Sequence, residues 1–367
     1  MTRAADRAEA ERLFAHFRAE GAVPVDADIL LPAGTLLDLY GEDIRARAYV
    51  THDPLEGEMM LRPDFTVPVV QKHMAHGAEP ARYTYMGEVF RAQEHRGERA
   101  REYLQVGYEV FARDNPPDAD AEVFALFANL LAPLSLKAAT GDLGILMAAV
   151  AGLTTSERRK AALMRHIWRP RRFRALLDRF GGRTPVAPTR RALLAALAAN
   201  PAEDLIAAAG PAIGLREPEE ITARAVALAQ DAEVPPISAG EVAILDDLLD
   251  LRGNCTGALA HLRDIMVDMP AITPAVDRFA ARLEALARRG VDVAALDFEA
   301  SHGRTTLEYY DGFVFSFYAE ARPDLAPVAS GGRYDALTRV LGQGRSIPAV
   351  GGVIRPGLVA QLTEGRA

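Results

Sequence analysis

Strand-forming segments lie at both ends of this 367-residue chain, and a long helix-forming stretch separates them. Two runs rich in aromatic and β-branched residues, Arg82–Arg91 and Glu102–Phe111, flank a charged segment that contains Gly97. This pattern predicts two antiparallel strands joined by a long polar loop. Strand character returns over Thr305–Glu320 and again near the C-terminus, in IPAVGGVI. We therefore expect an α+β fold in which one mixed sheet is interrupted by a helical insertion.

The composition changes near residue 153. From Thr154 to about Pro236 the chain is rich in Ala, Arg and Leu and is broken by prolines and glycines, which predicts short helices joined by turns. We assign residues 1–153 and 241–367 to two parts of one core, and residues 154–240 to an inserted all-helical subdomain. Helical spacing also predicts core helices over Ala4–Glu20, Val67–Met74, Glu241–Leu251, Pro274–Arg289 and a segment capped by Asp118.

The formal net charge of −8 is unevenly distributed along the chain. Between Arg158 and Arg191, the segment that we call the basic block, there are twelve Lys and Arg residues and one acid, Asp178. The block thus carries +11 and the rest of the chain −19. It is either a solvated helical face or a docking surface for an anionic partner.

Several classes of protein are not expected. The single cysteine, Cys255, excludes an internal disulfide, no apolar run reaches the ~20 residues of a membrane span, and the charged N-terminus is not a secretory signal. His73 and His76 have helical spacing, but no Cys or second His cluster supports them as metal ligands. We expect a cytoplasmic protein with no metal and no cofactor.

The strands carry polar residues next to glycine. In the second predicted strand Gln105, Gly107 and Glu109 share one face, and the later strand places Glu308, Tyr310 and Gly312 on one face. A glycine between hydrogen-bonding side chains lets a ligand approach the backbone. Either these residues form the floor of a small-ligand site, or Glu109 and Glu308 lie on a solvated sheet face.

Four segments resemble motifs of one family. MGEVFRAQEHRGERAREYLQVGYEVF resembles motif 2 of class II aminoacyl-tRNA synthetases in its histidyl form, and MLRPDFTVPV resembles the segment of that enzyme that holds the substrate's α-amino group. LEYYDGFVF resembles its histidine-specific strand, and SGGRYDAL with IPAVGGVI resembles the approach to motif 3. The likeness runs from about Phe14 to Leu358. It implies a class II mixed, mainly antiparallel sheet flanked by helices.

The resemblance also implies a site for a histidine-like ligand. Asp64, in place of the usual Glu, would face the amino group together with Thr66 and Gln105. Glu109 and Tyr310 would hold an imidazole ring, whose two nitrogens each need a donor or an acceptor.

Two further residues complete this implied set. Tyr309 belongs to the tyrosine pair with Tyr310, and Arg91 would grip an α-phosphate or a carboxylate, a role suited to a guanidinium. No catalytic residue is expected, because the chain departs from the synthetase pattern at two positions.

Both departures remove an arginine. Thr305 stands where the histidyl enzyme has an Arg four residues before the tyrosine pair, and the neighbouring Arg304 would point to the opposite face of a strand. Leu358 replaces the Arg of motif 3, and Pro356 with the following glycine is expected to break the helix there. Such arginines stabilise transition-state charge by several kcal/mol. Nine residues follow Leu358, too few for the ~100-residue anticodon-binding domain, so we expect no tRNA charging and no tRNA partner.

A synthetase core with these departures resembles the regulatory subunits of ATP phosphoribosyltransferase, the first enzyme of histidine biosynthesis. The resemblance implies a non-catalytic subunit that forms a homodimer, pairs with the short-form catalytic chain in a hetero-octamer, and takes part in feedback by histidine. Two alternatives remain open. One is a truncated histidyl-tRNA synthetase-like enzyme that activates an amino acid, and the other is a free-standing histidine- or RNA-binding regulator.

Overall fold

A computed structural model describes residues 3–34, 48–93, 100–211, 214–304 and 309–365. Its strands are β1 (Val23–Pro24), β2 (Leu30–Pro32), β3 (Val50–Asp53), β4 (Gly57–Leu61), β5 (Ala81–Phe90), β6 (Glu102–Phe111), β7 (Lys137–Asp142), β8 (Arg252–Asn254), β9 (Asp297–Glu299), β10 (Phe313–Tyr318), β11 (Ala329–Arg333) and β12 (Ala349–Ile354). Its helices are α1 (Arg3–Ala19), α2 (Thr66–His76), α3 (Pro116–Leu131), α4 (Leu143–Gly152), α5 (Glu157–Arg165), α6 (Pro170–Phe180), α7 (Pro188–Ala199), α8 (Ala202–Ala208), α9 (Pro218–Glu233), α10 (Ala239–Asp250), α11 (Cys255–Asp268), α12 (Thr273–Arg288), α13 (Asp335–Leu341) and α14 (Pro356–Glu364).

The strands form a nine-stranded sheet in the order β1-β5-β6-β12-β11-β10-β7-β9-β8 and a separate three-stranded sheet in the order β2-β4-β3. The pairs β1–β5 and β7–β9 are parallel. The other described pairs are antiparallel. The predicted α+β fold with a mixed, mainly antiparallel sheet is therefore confirmed.

The hairpin predicted from the two aromatic runs forms the part of the large sheet that carries the site. In it β5 and β6 pair with Gly87 opposite Gln105 and Tyr83 opposite Glu109. On its other side β6 pairs with β12, where Gly351 stands opposite Glu109. The loop predicted around Gly97 falls in residues 94–99, outside the described residues.

Aromatic side chains fill the core between the large sheet and the helices on one of its faces. Phe17 of α1 stacks on Phe127 of α3 with ring centroids 5.5 Å apart. Phe124, also on α3, stacks on Phe317 of β10 at 5.2 Å. Both α3 rings are buried. This packing fixes one face of the sheet and leaves polar residues of β6 on the other.

The helix α3 starts earlier than its sequence suggested. It begins at Pro116, so the prediction that Asp118 caps it was wrong. Proline suits the first turn of a helix because its missing N–H would have no partner there and its φ is already helical. The Asp118 carboxylate instead accepts a hydrogen bond from Arg289, at the end of α12, at 2.7 Å.

The chain between β7 and β8 is helical. Helices α4 to α10 follow one another, and no strand occurs among the described residues in this stretch. Arg159 of α5 is buried and joins the first and last parts of the predicted insertion. Its Nε lies 2.7 Å from Asp231 Oδ1, and its other nitrogens donate to the carbonyls of Asp231, Val234 and Pro235 at the end of α9.

Part of the basic block is neutralised by acids outside it. The pairs are Arg159 and Arg190 with Asp231, Lys160 with Glu157, Arg174 with Asp246 and Asp250, and Arg183 with Asp246. These contacts tie the insertion to itself and to α10. Both interpretations of the remaining charge, a solvated face and a docking surface, stay predictions.

Two predictions near the C-terminal half were wrong. Within the described residues, the strand expected over Thr305–Glu320 is the shorter β10, and Tyr309 to Gly312 before it are not in a strand. Residues 305–308, including Thr305 and Glu308, lie outside the described residues. Tyr310 and Gly312 therefore do not share a strand face as predicted, and the predicted place of Glu308 on that face lies outside the described residues. Pro356 does not break a helix but starts α14 at its first position, as prolines commonly do.

None of the helices in the described ranges is long and apolar enough to cross a membrane.

Candidate functional site

All seven predicted site residues line one cavity of about 710 Å³ on the polar side of the hairpin. They are Asp64, Thr66, Arg91, Gln105, Glu109, Tyr309 and Tyr310. They come from four separate parts of the chain, which are the start of α2, the end of β5, the strand β6 and the turn before β10. Residues 322 and 324–327, the end of β12, and residues of α1, β10, β11 and α14 also line it.

Glu109 lies at the bottom of the cavity and is almost completely buried. Its Oε1 accepts hydrogen bonds from Tyr85 at 2.8 Å and from Thr66 at 3.3 Å, and its Oε2 accepts one from Tyr334 at 2.6 Å. Burial raises the pKa of this carboxyl to about 7, against the three hydroxyl bonds that lower it, and the negative charge of Asp64 raises it further.

Two glycines make room for this arrangement. A Cβ on Gly351 would lie 1.5 Å from Glu109 Oε2, so only glycine allows the carboxylate to lie across β12. A Cβ on Gly107 would meet the ring of Tyr85 at 2.0 Å. The glycine predicted to open the backbone of β6 thus accommodates a tyrosine that binds Glu109, which is a structural role that the sequence did not reveal.

Asp64 and Thr66 form a second polar group beside Glu109. The backbone N–H of Thr66, the first residue of α2, donates to Asp64 Oδ1 at 3.2 Å. The Thr66 hydroxyl also accepts a hydrogen bond from Tyr309 at 3.4 Å. Both side chains are buried, so their oxygens are held in place for a ligand that donates hydrogen bonds.

Gln105 has an unmet hydrogen-bonding group. Its side chain is 1% exposed, and its Oε1 is buried without a hydrogen-bond partner among the described residues. A buried, unsatisfied polar atom typically costs about 1–3 kcal/mol. Because Gln105 lines the cavity, a bound donor such as an ammonium group would remove that cost.

The tyrosine pair connects the cavity to the helical insertion. The rings of Tyr309 and Tyr310 meet edge to face with centroids 4.9 Å apart. The indole Nε1 of Trp168, which lies between α5 and α6, donates to the carbonyl of Tyr310 at 3.0 Å. Burial raises the pKa of Tyr310, so its hydroxyl stays protonated and can donate to a ligand.

Two arginines supply positive charge. Arg91 Nε donates to the carbonyl of Pro63 at 3.2 Å. Arg355, directly after β12, lines the same cavity and donates to the carbonyl of Pro327. Burial and the nearby charge of Arg91 lower the pKa of Arg355. Sequence reasoning missed Arg355, although a basic residue at the end of a site-bearing strand is a recognisable signal.

Arg304 is not among the residues that line the cavity, but strand alternation, the reason predicted, does not explain its position. It is in a turn, not in a strand, so strand alternation does not determine its direction. Its buried guanidinium lies 5.0 Å from the ring of Phe173 and donates to the carbonyl of Ile167 at 2.6 Å. Burial lowers the pKa of Arg304 to about 10. This arginine therefore serves the packing of the insertion.

The arrangement fits a small zwitterionic ligand with a polar side chain. Carboxylate, amide and hydroxyl oxygens lie on β6 and α2, where they suit an ammonium group and a ring N–H, and the arginines suit an anion. Within the described residues no group of three His, Cys, Asp or Glu side chains is placed to hold a metal ion.

Comparison with known proteins agrees with this geometry. A family model described as histidyl-tRNA synthetase matches residues 2–253 and 221–356. The ATP phosphoribosyltransferase regulatory subunit of Rhizobium etli is 32% identical over 357 residues, covering 92% of this chain and 93% of its own. That of Brucella anthropi is 32% identical over 345 residues, covering 89% of each chain.

Solved structures show the same fold. An ATP phosphoribosyltransferase regulatory subunit/histidyl-tRNA synthetase from Bacillus halodurans superposes with a TM-score of 0.67 at 21% identity, covering 98% of this chain and 79% of its own. Histidyl-tRNA synthetase from a Nostoc species superposes with a TM-score of 0.62 at 17% identity, covering 98% and 71%. By its sequence and its fold, this chain belongs to the family of ATP phosphoribosyltransferase regulatory subunits, whose members share the histidyl-tRNA synthetase fold.

Proposed function

We propose that this chain is the non-catalytic regulatory partner of a short-form ATP phosphoribosyltransferase catalytic chain, and that histidine binds in its cavity as a feedback signal. The observation that carries the proposal is similarity over about nine-tenths of the chain to proteins named as that regulatory subunit. A cytoplasmic site of action in histidine biosynthesis is part of the proposal.

A lack of amino-acid activation is supported by the phosphate end of the cavity. Leu358, at the position of the synthetase motif 3 arginine, lines the cavity with an apolar side chain. Loss of one positive charge opposite a transferring phosphoryl group removes stabilisation that this chemistry requires. A role without catalysis of its own is therefore the better fit to these residues.

Histidine suits the free hydrogen-bonding capacity around Glu109. Oε1 already accepts two hydroxyl bonds and Oε2 accepts one, so Oε2 keeps a lone pair for an imidazole N–H. The oxygens of Asp64, Thr66 and Gln105 lie in the same cavity for the α-ammonium group. Binding to one state of the complex better than to another would couple histidine to activity.

Self-association is supported by apolar side chains on the edge of the molecule. Val23, Ile29, Leu30 and Val50 on or beside β1, β2 and β3 are each 43–59% exposed. A homodimer that covers this surface, within a larger assembly of two kinds of chain, would remove them from water.

The test mixes the purified chain with the short catalytic chain and follows phosphoribosyl transfer to ATP with and without histidine. We expect full activity only in the mixture, and inhibition by histidine that Glu109→Gln weakens. Arg288→Gln, which changes an exposed arginine on α12, is the matched control and should behave as wild type. Full activity of the catalytic chain alone would refute the proposal. Histidine-dependent exchange between pyrophosphate and ATP by the isolated chain would favour the synthetase-like enzyme.

A further inference from the structure

Asp311 is a carboxylate beside the cavity for which the proposed function gives no role. It lies in residues 309–312, which we call the tyrosine segment, and it does not itself line the cavity. Its Oδ1 accepts the backbone N–H of Asp335 at 3.0 Å, and its Oδ2 accepts that of Ala336 at 2.6 Å. Both oxygens of Asp311 therefore bind the tyrosine segment to the first two residues of α13.

Other bonds hold the backbone of the tyrosine segment from different sides. The N–H of Asp311 donates to the carbonyl of Arg333, in β11, at 3.0 Å. The carbonyl of Gly312 accepts the N–H of Leu143, at the start of α4, at 2.9 Å. The main chain of the segment is thus tied to β11 and α4, and the Asp311 side chain ties it to α13.

Tyr334 directly precedes the part of α13 that Asp311 holds. Its hydroxyl donates to Glu109 Oε2 at 2.6 Å, and its ring meets that of Tyr309 edge to face with centroids 6.1 Å apart. Tyr334, Tyr309 and Tyr310 all line the cavity. The bonds of Asp311 therefore fix two walls of the cavity, the tyrosine segment and Tyr334, relative to each other.

The charge of Asp311 makes this link strong. Burial raises the pKa of Asp311 to about 7, and the charge of Asp335 raises it further, against the two backbone bonds and Arg333, which lower it. Above that pH Asp311 is ionised, and an ionised acceptor forms stronger hydrogen bonds than a neutral one. A neutral amide in the same place would hold α13 less firmly.

We propose that Asp311 is a positioning residue of the cavity, which holds Tyr310 and Tyr334 in the relative positions that let the cavity recognise the nitrogens of a ligand ring. Asp311 does not touch the ligand but acts through the two tyrosines and, through Tyr334, on Glu109. The identity of the ligand, histidine, rests on the proposed function. The expected consequence is that Asp311 determines how well the cavity distinguishes a ring with an N–H from a ring without one.

Calorimetric titration of the full-length chain at about pH 8, where Asp311 and free imidazole are largely deprotonated, tests this with two amino acids. L-histidine has ring nitrogens, whereas L-thienylalanine has a five-membered ring with a sulfur and no N–H. Because Glu109 and Tyr310 would hydrogen-bond only the nitrogen-bearing ring, we expect the wild type to bind histidine about ten- to a hundred-fold more tightly.

Two substitutions of Asp311 should lower this ratio in order. Asp311→Asn keeps the side-chain size but leaves one N–H of α13 without an acceptor, and we expect the ratio to fall about five-fold. Asp311→Ala removes both acceptors and should bring the ratio close to one. The affinity for thienylalanine should stay within about two-fold of wild type in Asp311→Asn, because the groups around the ammonium do not depend on α13.

Asp292→Asn is the matched control. Asp292 Oδ1 also accepts two consecutive backbone N–H groups, from Ala294 at 3.0 Å and from Ala295 at 3.2 Å, but Asp292 does not line or adjoin the cavity wall. This variant should keep the wild-type ratio. Thermal unfolding identifies which variants are folded at the titration temperature, and Asp311→Asn, which keeps the side-chain volume, is expected to be among them.

The proposal is overturned if folded Asp311→Asn and Asp311→Ala keep the wild-type ratio. It is also overturned if both amino acids bind equally more weakly, as a purely structural role of Asp311 would give; the proposed histidine site then stands. A wild type that does not prefer histidine refutes that site and the positioning role with it. A ratio that responds as expected, in a chain that does not activate the catalytic chain, refutes only the regulatory role.

Discussion

Two of the clusters of buried charge among the described residues differ in how completely their bonds are satisfied. In the first, the ion-pair network, Arg282 of α12 contacts Asp120 at 3.2 Å and Asp142 at 2.7 Å, and Arg333 of β11 contacts Asp120 at 2.7 Å. In the second, the ligand cavity, charges of both signs face an open space.

The ion-pair network is closed by the fold. Asp142 also caps α4 by accepting the N–H of Gly144 at 2.9 Å, and Arg333 makes a further ion pair with Asp335. Each partner comes from a different helix or strand, so the network holds the helices against the sheet. The cavity, in contrast, keeps a Gln105 oxygen without a partner among the described residues. The ion-pair network is therefore a structural cluster, whereas the cavity keeps bonding capacity that a ligand can use.

Breaking the ion-pair network should have the largest effect on stability. Arg282→Met leaves Asp120 and Asp142 buried with fewer partners, and we expect the free energy of unfolding to fall by about 3–5 kcal/mol. Urea denaturation measures it. The exposed pair of Arg288 and Asp118 is the control, since Arg288→Met should cost less than about 1 kcal/mol. Equal losses in the two variants would contradict the distinction between the clusters.

Because of Glu109, the stability of the folded protein should change with pH in the direction opposite to that expected for an ion-paired carboxylate. Its folded pKa of about 7 lies above the unfolded value of 4.5, so the folded state holds the proton more tightly. Stability contributed by this group is present below pH 4.5 and is lost as the pH rises towards 7. Glu109 should therefore lower the free energy of unfolding of the wild type by about 3 kcal/mol between pH 4.5 and 7, and Glu109→Gln should remove this decrease.

The measurement is the unfolding free energy of both proteins at several pH values between 4.5 and 8. The difference between variant and wild type should grow with pH. If the difference in unfolding free energy stays constant over this pH range, Glu109 is ionised in the folded protein throughout. Burial in the cavity would then not raise its pKa.

A substitution of Gln105 tests the same comparison between the ion-pair network and the cavity. Here we expect a smaller change in stability, and a gain instead of a loss. Gln105→Met keeps the side-chain length and removes the unpartnered oxygen, so we expect unliganded stability to rise by about 1–2 kcal/mol. Histidine binding should weaken about ten-fold, because the site loses an acceptor for the ammonium group. A gain in stability with loss of binding distinguishes a ligand residue from a core residue. Thermal unfolding with and without histidine measures both, and a destabilised variant would contradict the interpretation.

Local patterns predicted the parts of the site that lie on one segment. Alternation along β6 placed Gln105 and Glu109 on one face, because strand periodicity depends only on neighbours in sequence. The resemblance to a family supplied Asp64 and Thr66, which no periodicity marks. Helix starts at Pro116 and Pro356 were misjudged because proline can either end a helix or begin one, and only the packing decides.

Contacts between distant segments could not be predicted in this way. Tyr85 and Tyr334 bind Glu109 from 24 and 225 residues away in sequence. Such pairings follow from strand order and register, which one sequence does not specify. The strand predicted around Tyr310 was also too long. The Tyr310 carbonyl accepts a hydrogen bond from Trp168, a contact with a distant segment that the sequence pattern does not reveal.

The single tryptophan, Trp168, provides the smallest and most direct test of how the cavity and the helical insertion are joined. Trp168→Phe removes one hydrogen bond to the Tyr310 carbonyl and should lower stability by about 1 kcal/mol. Because Tyr310 lines the cavity, histidine binding to the wild type should change the tryptophan fluorescence. If the insertion transmits occupancy of the cavity, Trp168→Phe keeps histidine binding within about three-fold but reduces inhibition of the assembled enzyme. The Trp168 indole donates the hydrogen bond that links Tyr310 to the loop between α5 and α6. Unchanged inhibition would therefore mean that histidine in the cavity affects the catalytic chain by another route.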